Sequence, residues 1–315
     1  MSRILFAGTP EISVPLFNAL CSRFDVVGVL TACDKSVGRS KALVPSPVKT
    51  AALEKGLPVL QFESLRTEAR TAVKEIGADT LVTFAYGKIF GPRFLELFSC
   101  GRFNVHPSDL PSFRGPAPIQ FTILRGLSQA TISLQNIGIG MDEGEIWGKT
   151  VLPLDGTETT DSLTKRIAEE AASFVPSLIE KALSGSAEPA EQEGEPSYCT
   201  MITREMGTLD FRKTVSENHC LIRSCYGWPK AWARVNGNDI AVTGVWGGFD
   251  YISSPDPTND ALPGTVVGMR KDRGIGVACA DGILWISALQ LPAKKELDFR
   301  SFVNGNQWIL KSVFE

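Results

Sequence analysis

The amino-acid sequence predicts a doubly wound α/β sheet followed by a smaller β-barrel or curled sheet, and three observations lead there. Across the first half, short apolar runs alternate with helical patterns, the mark of a parallel sheet covered by helices. Residues 184–200, "SGSAEPAEQEGEPSYCT", are small, acidic and proline-bearing, with Glu188, Glu191, Glu193 and Glu195 opposed by no base, and read as a linker. Beyond them come short strands punctuated by glycine, with Asn-Gly and Asp-Gly turn signals in "WARVNGNDIAVTGVWGG" and "GIGVACADGILWISALQL". A chain of 315 residues exceeds one ordinary core, so the expected organisation is a domain at 1–183, a linker at 184–203 and a second domain at 204–315.

"RILFAG" (3–8) reads as a buried strand, after which Thr9 is expected to cap a helix with Pro10 in its first turn and Ile12, Leu16, Phe17, Leu20 and Cys21 at helical spacing. "VVGVLTA" (26–32) is the second strand, and Ser46 with Pro47 repeats the cap-plus-proline signal for a helix ending near Gly56. "PVLQF" is a third strand; Leu65, Ala69, Ala72, Val73 and Ile76 then share one helix face, with Gly77 past its end. "TLVTFA" (80–85) and "RFNVH" (102–106) read as central strands, with "ATISLQNI" (130–137) and "EIWGKTVLPL" (145–154) as an antiparallel extension. A helix from about Asp161 to Leu183, bent at Pro176, closes the domain.

Composition narrows the function classes. Apolar residues make up 43% and charged residues 21%, the mixture of a globular protein rather than a disordered or fibrous one. No run approaches the roughly eighteen apolar residues of a membrane span, and "MSRILFAGTP" turns at glycine and proline too early for a signal peptide. The seven cysteines are odd in number, scattered and without C-x-x-C, so reduced packing residues in a cytoplasmic protein are expected, with no disulfide framework and no metal site. A net charge of -3 exerts no global pull toward nucleic acid; such a partner must be met by a local patch.

The chemistry concentrates in "FNVHPSDLPSFRGPAPIQ" (103–120). Asn104 and His106 flank Val105 and therefore point to the same face of a strand. Doubly wound sheets bind ligands beyond the carboxyl ends of their strands, where this stretch turns into a stiff proline-glycine loop. The first strand-to-helix turn, "FAGTPE", lacks G-x-G-x-x-G, so NAD or a similar dinucleotide is not expected. Downstream, "GIGMDEGE" supplies Asp142, whose carboxylate could orient the imidazole and hold it protonated. Amide, imidazole and carboxylate together suit acyl transfer: stabilising an oxyanion while moving a proton to the leaving group. No serine or cysteine is clearly placed as a nucleophile, so the attacking atom belongs to the substrate.

The set "FAGTPE", "PSPVK", "FAYGKI", "NVHPSDLPSFRGPAPIQ", "MDEGEIW", "LDF" and "GWPKAW" resembles the methionyl-tRNA formyltransferase family along nearly the whole chain. The resemblance implies a Rossmann-like sheet of the formyltransferase type with an OB-like barrel behind it. It implies 10-formyltetrahydrofolate as formyl donor and co-substrate, methionyl initiator tRNA as acceptor, and no metal. Asn104, His106 and Asp142 become the catalytic set. By similarity the folate lies along Ser108, Asp109, Leu110 and Pro111, with its pterin near Tyr86 and Gly87. Family members usually carry two leucines before that proline, and here the first is Asp109. A soluble monomer with no membrane partner is the expected state.

For the RNA, "ACDKSVGRSKALVPSPVK" (32–49) carries Lys35, Arg39, Lys41 and Lys49 against Asp34 alone. As composition this is a solvated loop; the resemblance makes it the element that enters the acceptor stem, with Arg39 and Lys41 as contacts. The second domain is nearly neutral, with local clusters "MRKDR" (269–273) and "PAKK" (292–295). Trp228, Trp232 and Trp246 are expected to serve core and interdomain packing rather than base stacking, and His219 to be structural. Formyl transfer to a small amine such as a purine precursor or amino sugar, hydrolytic release of formate, and a non-catalytic RNA-binding module with the same fold are the alternatives.

Overall fold

The computed structural model describes residues 2–37, 42–258 and 260–315. Arg39 and Lys41 lie outside the described residues. The chain forms two compact units, one of Met1–Pro118, Thr131–Val151 and Thr164–Cys199, the other of Ile119–Ala130, Leu152–Leu163 and Thr200–Glu315.

The amino-terminal half contributes strands β1 (Arg3–Gly8), β2 (Asp25–Thr31), β3 (Lys35–Val37), β4 (Ala42–Val44), β5 (Val59–Gln61), β6 (Thr80–Phe84), β7 (Gly101–His106), β8 (Gln129–Asn136) and β9 (Ile146–Pro153). Its helices are α1 (Val14–Cys21), α2 (Pro47–Glu54), α3 (Thr67–Ile76), α4 (Pro92–Leu95), α5 (Pro118–Leu124) and α6 (Thr160–Leu183). Seven strands form one sheet in the order β5-β2-β1-β6-β7-β8-β9. Those from β5 to β7 are parallel and β8 runs antiparallel to β7. The order reverses between β1 and β6, and the doubly wound prediction is met. Both central strands are buried along almost their whole length, which is why "ILFA" is an unbroken apolar run and "TLVTF" carries no polar side chain larger than threonine, rather than alternating polar and apolar.

Local signals worked where side chain and backbone were neighbours. Ser46 caps α2 by accepting the Lys49 N–H at 3.0 Å, and Gly77 ends α3 in the left-handed region at φ 71°. Thr9 does not cap α1. Its hydroxyl donates to the Tyr86 carbonyl at 3.0 Å and accepts the Ala32 N–H at 3.3 Å, tying the ends of neighbouring strands, while a 3-10 turn at Glu11–Ser13 leads into the helix. Three short elements had no clear pattern: the β3–β4 hairpin, α4 and α5.

The second unit adds α7 (Val215–Ser224), β10 (Ala231–Val235), β11 (Asn238–Val245), α8 (Phe249–Ile252), β12 (Val266–Arg270), β13 (Gly274–Ala278), β14 (Ile283–Gln290), β15 (Leu297–Asp298) and α9 (Phe299–Gly305). Its antiparallel sheet runs β10-β11-β14-β13-β12, with β15 on β14. The final residues join its edges. Phe314 N–H reaches the Gly264 carbonyl at 2.8 Å beside β12, and Glu315 exchanges backbone bonds with Arg234 of β10 at 2.8 and 3.3 Å. The barrel is thereby closed and its edge strands are covered. Phe314 is buried edge-on to Phe211 in this core.

Candidate functional site

At the carboxyl end of β7, Phe103 and Val105 are buried while Asn104 and His106 share the opposite face. On β8 the directly paired residues are Gln135, opposite Asn104, and Ser133, opposite His106. Four polar side chains thus project from one face of two adjacent strands, an expensive arrangement unless each finds a partner.

The partners come from two loops. His106, only 5% exposed, has Nε2 at 3.0 Å from the Phe113 carbonyl. A carbonyl can only accept, so Nε2 carries its hydrogen. The other ring nitrogen, Nδ1, faces Asp142 Oδ1 at 3.6 Å. That oxygen also accepts from Asn104 Nδ2 at 3.2 Å and Gln135 Nε2 at 2.9 Å. Oδ2 accepts the Gly115 N–H at 2.9 Å. Amide, imidazole and carboxylate meet as expected, despite the distance between them in sequence. One Asn104 N–H is committed to the carboxylate, and the second has no acceptor among the described residues.

The loop after His106 is braced from inside. Ser108 Oγ donates to the Ser112 carbonyl at 2.6 Å, and Ser133 Oγ to the Ser108 carbonyl at 2.7 Å. Leu110 is fully buried, and Pro111 directs its carbonyl to the Ser197 N–H at 3.2 Å. A ligand along this stretch therefore meets backbone rather than the Ser108 or Leu110 side chains. Asp109 faces outward and pairs with Lys149 at 2.6 Å; the same ammonium bonds the Leu110 carbonyl at 2.6 Å. The charge that interrupts the usual leucine pair is thus answered by a cation.

Tyr86 turns its ring inward to stack on Phe90, with ring centroids 5.4 Å apart, and burial pushes its phenol up to about 12. Its neighbour Gly87 is exposed, at φ 87°, with open space where a side chain would be. Exposed Ile89 follows it, and exposed Ile139 and Met141 precede Asp142, apolar surfaces suited to a flat heteroaromatic ring. Among the described residues no cluster of three metal-ligating side chains occurs, and no helix is long and apolar enough to cross a membrane.

Gln135 and Gly115 were not anticipated. A signal for Gln135 existed: Thr131, Ser133 and Gln135 alternate with Ala130, Ile132 and Leu134, all buried, which marks a polar face inside a buried sheet. Lys49, counted with the basic loop, is committed elsewhere. Its ammonium bonds Asp34 at 2.6 Å and Gln61 Oε1 at 2.8 Å, and the Asp34 carboxyl is held below its usual range by the hydrogen bond from Lys49 first and then by one that Gln61 Nε2 donates at 2.8 Å.

In the second unit, "MRKDR" does not present a free basic stripe: Arg270 and Arg273 both bind Asp256, at 3.1 and 2.6 Å, and lie over Trp285 and Trp246. Trp228 is 63% exposed and is no part of the core, while Trp232 and Trp246 are partly buried. His219 is structural, as read from the sequence. Its Nδ1 accepts from Arg223 Nε at 2.9 Å and its Nε2 donates to the Gly247 carbonyl at 3.1 Å. Burial, and then the Arg223 charge, push it down to about 3.

Comparison with known proteins gives two family matches: the formyl transferase model over residues 3–179 and the formyl transferase C-terminal domain model over residues 201–307. A methionyl-tRNA formyltransferase of Treponema denticola is 35% identical over 324 aligned positions, covering 99% of both chains. Among solved structures, a methionyl-tRNA formyltransferase from Clostridium thermocellum matches 78% of this chain and 94% of its own, with a TM-score of 0.56 and 18% identity. HypX from Aquifex aeolicus, solved in complex with tetrahydrofolic acid, matches 96% of this chain and 46% of its own, with a TM-score of 0.62 and 15% identity.

Proposed function

The chain belongs to the methionyl-tRNA formyltransferase family, and from that premise we propose that it moves the formyl group of 10-formyltetrahydrofolate to the α-amine of methionyl initiator tRNA. The observation that carries the reading is the Asp142 carboxylate, bonded by Asn104, Gln135 and the Gly115 N–H while it faces His106 Nδ1. In the reaction one bond forms, from the amine nitrogen to the formyl carbon, and one breaks, from that carbon to N10 of the folate. One proton passes from the amine to N10. Asn104 donates its uncommitted N–H to the formyl oxygen as charge gathers there. His106 is fixed at Nε2, so Nδ1 is the ring atom that handles the proton, with Asp142 orienting the ring and balancing its charge.

The folate fits the exposed stretch between Gly87 and the loop before Asp142, against the backbone of Ser108, Asp109, Leu110 and Pro111. We assign Arg39 and Lys41 to phosphate contacts on the acceptor stem, which makes binding fall steeply with salt. A monomer working in the cytoplasm completes the reading.

Purified protein, 10-formyltetrahydrofolate and charged initiator tRNA are expected to yield formylmethionyl-tRNA. Formylation of a small amine in preference to the charged tRNA would overturn the acceptor, and no formyl transfer at all would overturn the reaction. Arg39→Ala is expected to raise KM for charged tRNA and flatten its salt dependence without changing folate binding; equal losses with a minimal amine acceptor would remove that loop from RNA recognition.

A further inference from the structure

We propose that Gln192 and Ser197, on the acidic segment that composition reads as a linker, are positioning residues that set Asp142 and His106 for the reaction. The inference rests on the function proposed above and assigns these two side chains to that same site.

Two non-glycine residues of the site adopt the left-handed backbone region: Phe113 and Asp142, both at φ 55°. Such backbone persists where the surroundings over-determine it. Both residues are fastened by the same segment. Gln192 donates from Nε2 to the carbonyls of Asp142 and Gly144, each at 2.8 Å, and so clasps the turn that presents the carboxylate. Its Oε1 accepts from Arg114 Nη2 at 2.8 Å and Nε at 3.2 Å, beside the Gly115 N–H that holds Asp142 Oδ2. Five residues on, Ser197 Oγ accepts the Phe113 N–H at 2.9 Å, and the Phe113 carbonyl is the group that fixes His106 Nε2.

The segment is pressed close between these anchors. Arg114 and residues 197–199 exchange backbone bonds, with Arg114 N–H to the Ser197 carbonyl and Cys199 N–H to the Arg114 carbonyl, both 2.9 Å. Gly115, at φ 118°, allows this approach: a side chain there would collide with the Cys199 carbonyl. The contacts converge on the supports of the proton-handling pair, one route through the Asp142 turn and one through Phe113. Neither Gln192 nor Ser197 has a bond to the reacting groups themselves, so their effect is on orientation.

The test uses the full chain with Gln192→Ala, Gln192→Glu and Ser197→Ala. Gln192→Glu is the conservative variant, because it keeps an acceptor for Arg114 and loses both donors to the Asp142 turn. Misplacement of a catalytic group costs rate more than binding, so kcat is expected to fall on the order of 10- to 100-fold with KM for both substrates within about threefold. The chain contains only two histidines, so ring-nitrogen labelling gives two sets of NMR signals, one from His106 and one from His219 of the second unit. The His106 signals are expected to move in each variant while those of His219 stay, which also reports that the fold is intact. Unchanged His106 signals, or a Gln192→Glu protein with normal kcat, would overturn the proposal. Failure of the unmutated protein to formylate charged tRNA would instead strike the functional reading, leaving the His106 signals to decide the positioning role.

Discussion

Replacing Asp142 by asparagine tests the centre of the site, because every polar neighbour of this carboxylate is a donor or faces it with a ring nitrogen. Oδ1 takes Asn104 and Gln135, and Oδ2 takes the Gly115 N–H. An amide offers one acceptor where the carboxylate offers two. With nitrogen at the Oδ2 position it opposes the Gly115 N–H, which cannot rotate; with nitrogen at Oδ1 it forces Asn104 and Gln135 to flip. The flip turns the Asn104 oxygen toward position 142 and redirects its donors. The side chain is 13% exposed, so solvent compensates little. Three hydrogen bonds to a charged acceptor, worth roughly 1.5–3 kcal/mol each, become neutral bonds of roughly 0.5–1.5, a loss of about 3 kcal/mol before any is broken outright. Urea unfolding measures that loss, and single-turnover formylation measures the chemistry, expected to slow by at least about a hundredfold. A variant of unchanged stability would refute the hydrogen-bond account. A destabilised variant that formylates at the normal rate would refute a chemical role for Asp142.

His106→Ala is expected to lower turnover by about 10²–10⁴-fold, and near-normal turnover in the formylation assay would remove the imidazole from the mechanism. His219 stays neutral in the fold down to about 3, whereas an unfolded chain takes its proton near 6.5; the stabilisation is therefore whole above that range and drains as pH falls from 6.5 toward 3, by up to about 5 kcal/mol at 1.36 kcal/mol per unit. Urea melts between pH 7 and pH 4 are expected to show a weaker acid loss in His219→Gln, and parallel curves would contradict the coupling. Asp109→Leu removes a half-exposed ion pair but leaves Lys149 its bond to the Leu110 carbonyl, so stability is expected to change by less than about 1 kcal/mol and folate KM little; a collapse of activity would reveal a further task for this aspartate. Phe314→Ala empties a buried position that helps close the barrel and is expected to cost about 3–5 kcal/mol in urea unfolding, with an unchanged melt contradicting closure by the terminal residues.

Reading the sequence succeeded where the decisive interaction is short in range. Buried parallel strands must be apolar on both faces, so β1, β2 and β6 announce themselves, and a serine before proline caps α2 across three residues. Thr9 has the same local pattern as Ser46, yet its hydroxyl is drawn to Tyr86 and Ala32 on neighbouring strands. Propensity could not weigh partners that the sheet brings in from elsewhere. Trp228 shows the converse: a large aromatic that composition would bury remains outside.

The candidate site divides along the same line. Asn104 and His106 are legible together because strand alternation alone puts them on one face, and Asp142 is legible through its turn-rich motif. Their supports are not, since an acidic segment rich in small residues has the composition of a solvated connection whether or not it packs. Hydrogen-bonding capacity is what that composition conceals: glutamine and serine satisfy backbone groups as well as they satisfy water. Residues 190–199 bond at both ends, Ala190 with Ile146 and Cys199 with Arg114, and a tether built only for reach would gain nothing from such ordering. The conformational entropy lost along this stretch is offset where it braces the two left-handed residues, Phe113 and Asp142, whose backbone geometry aims the imidazole and the carboxylate at one another.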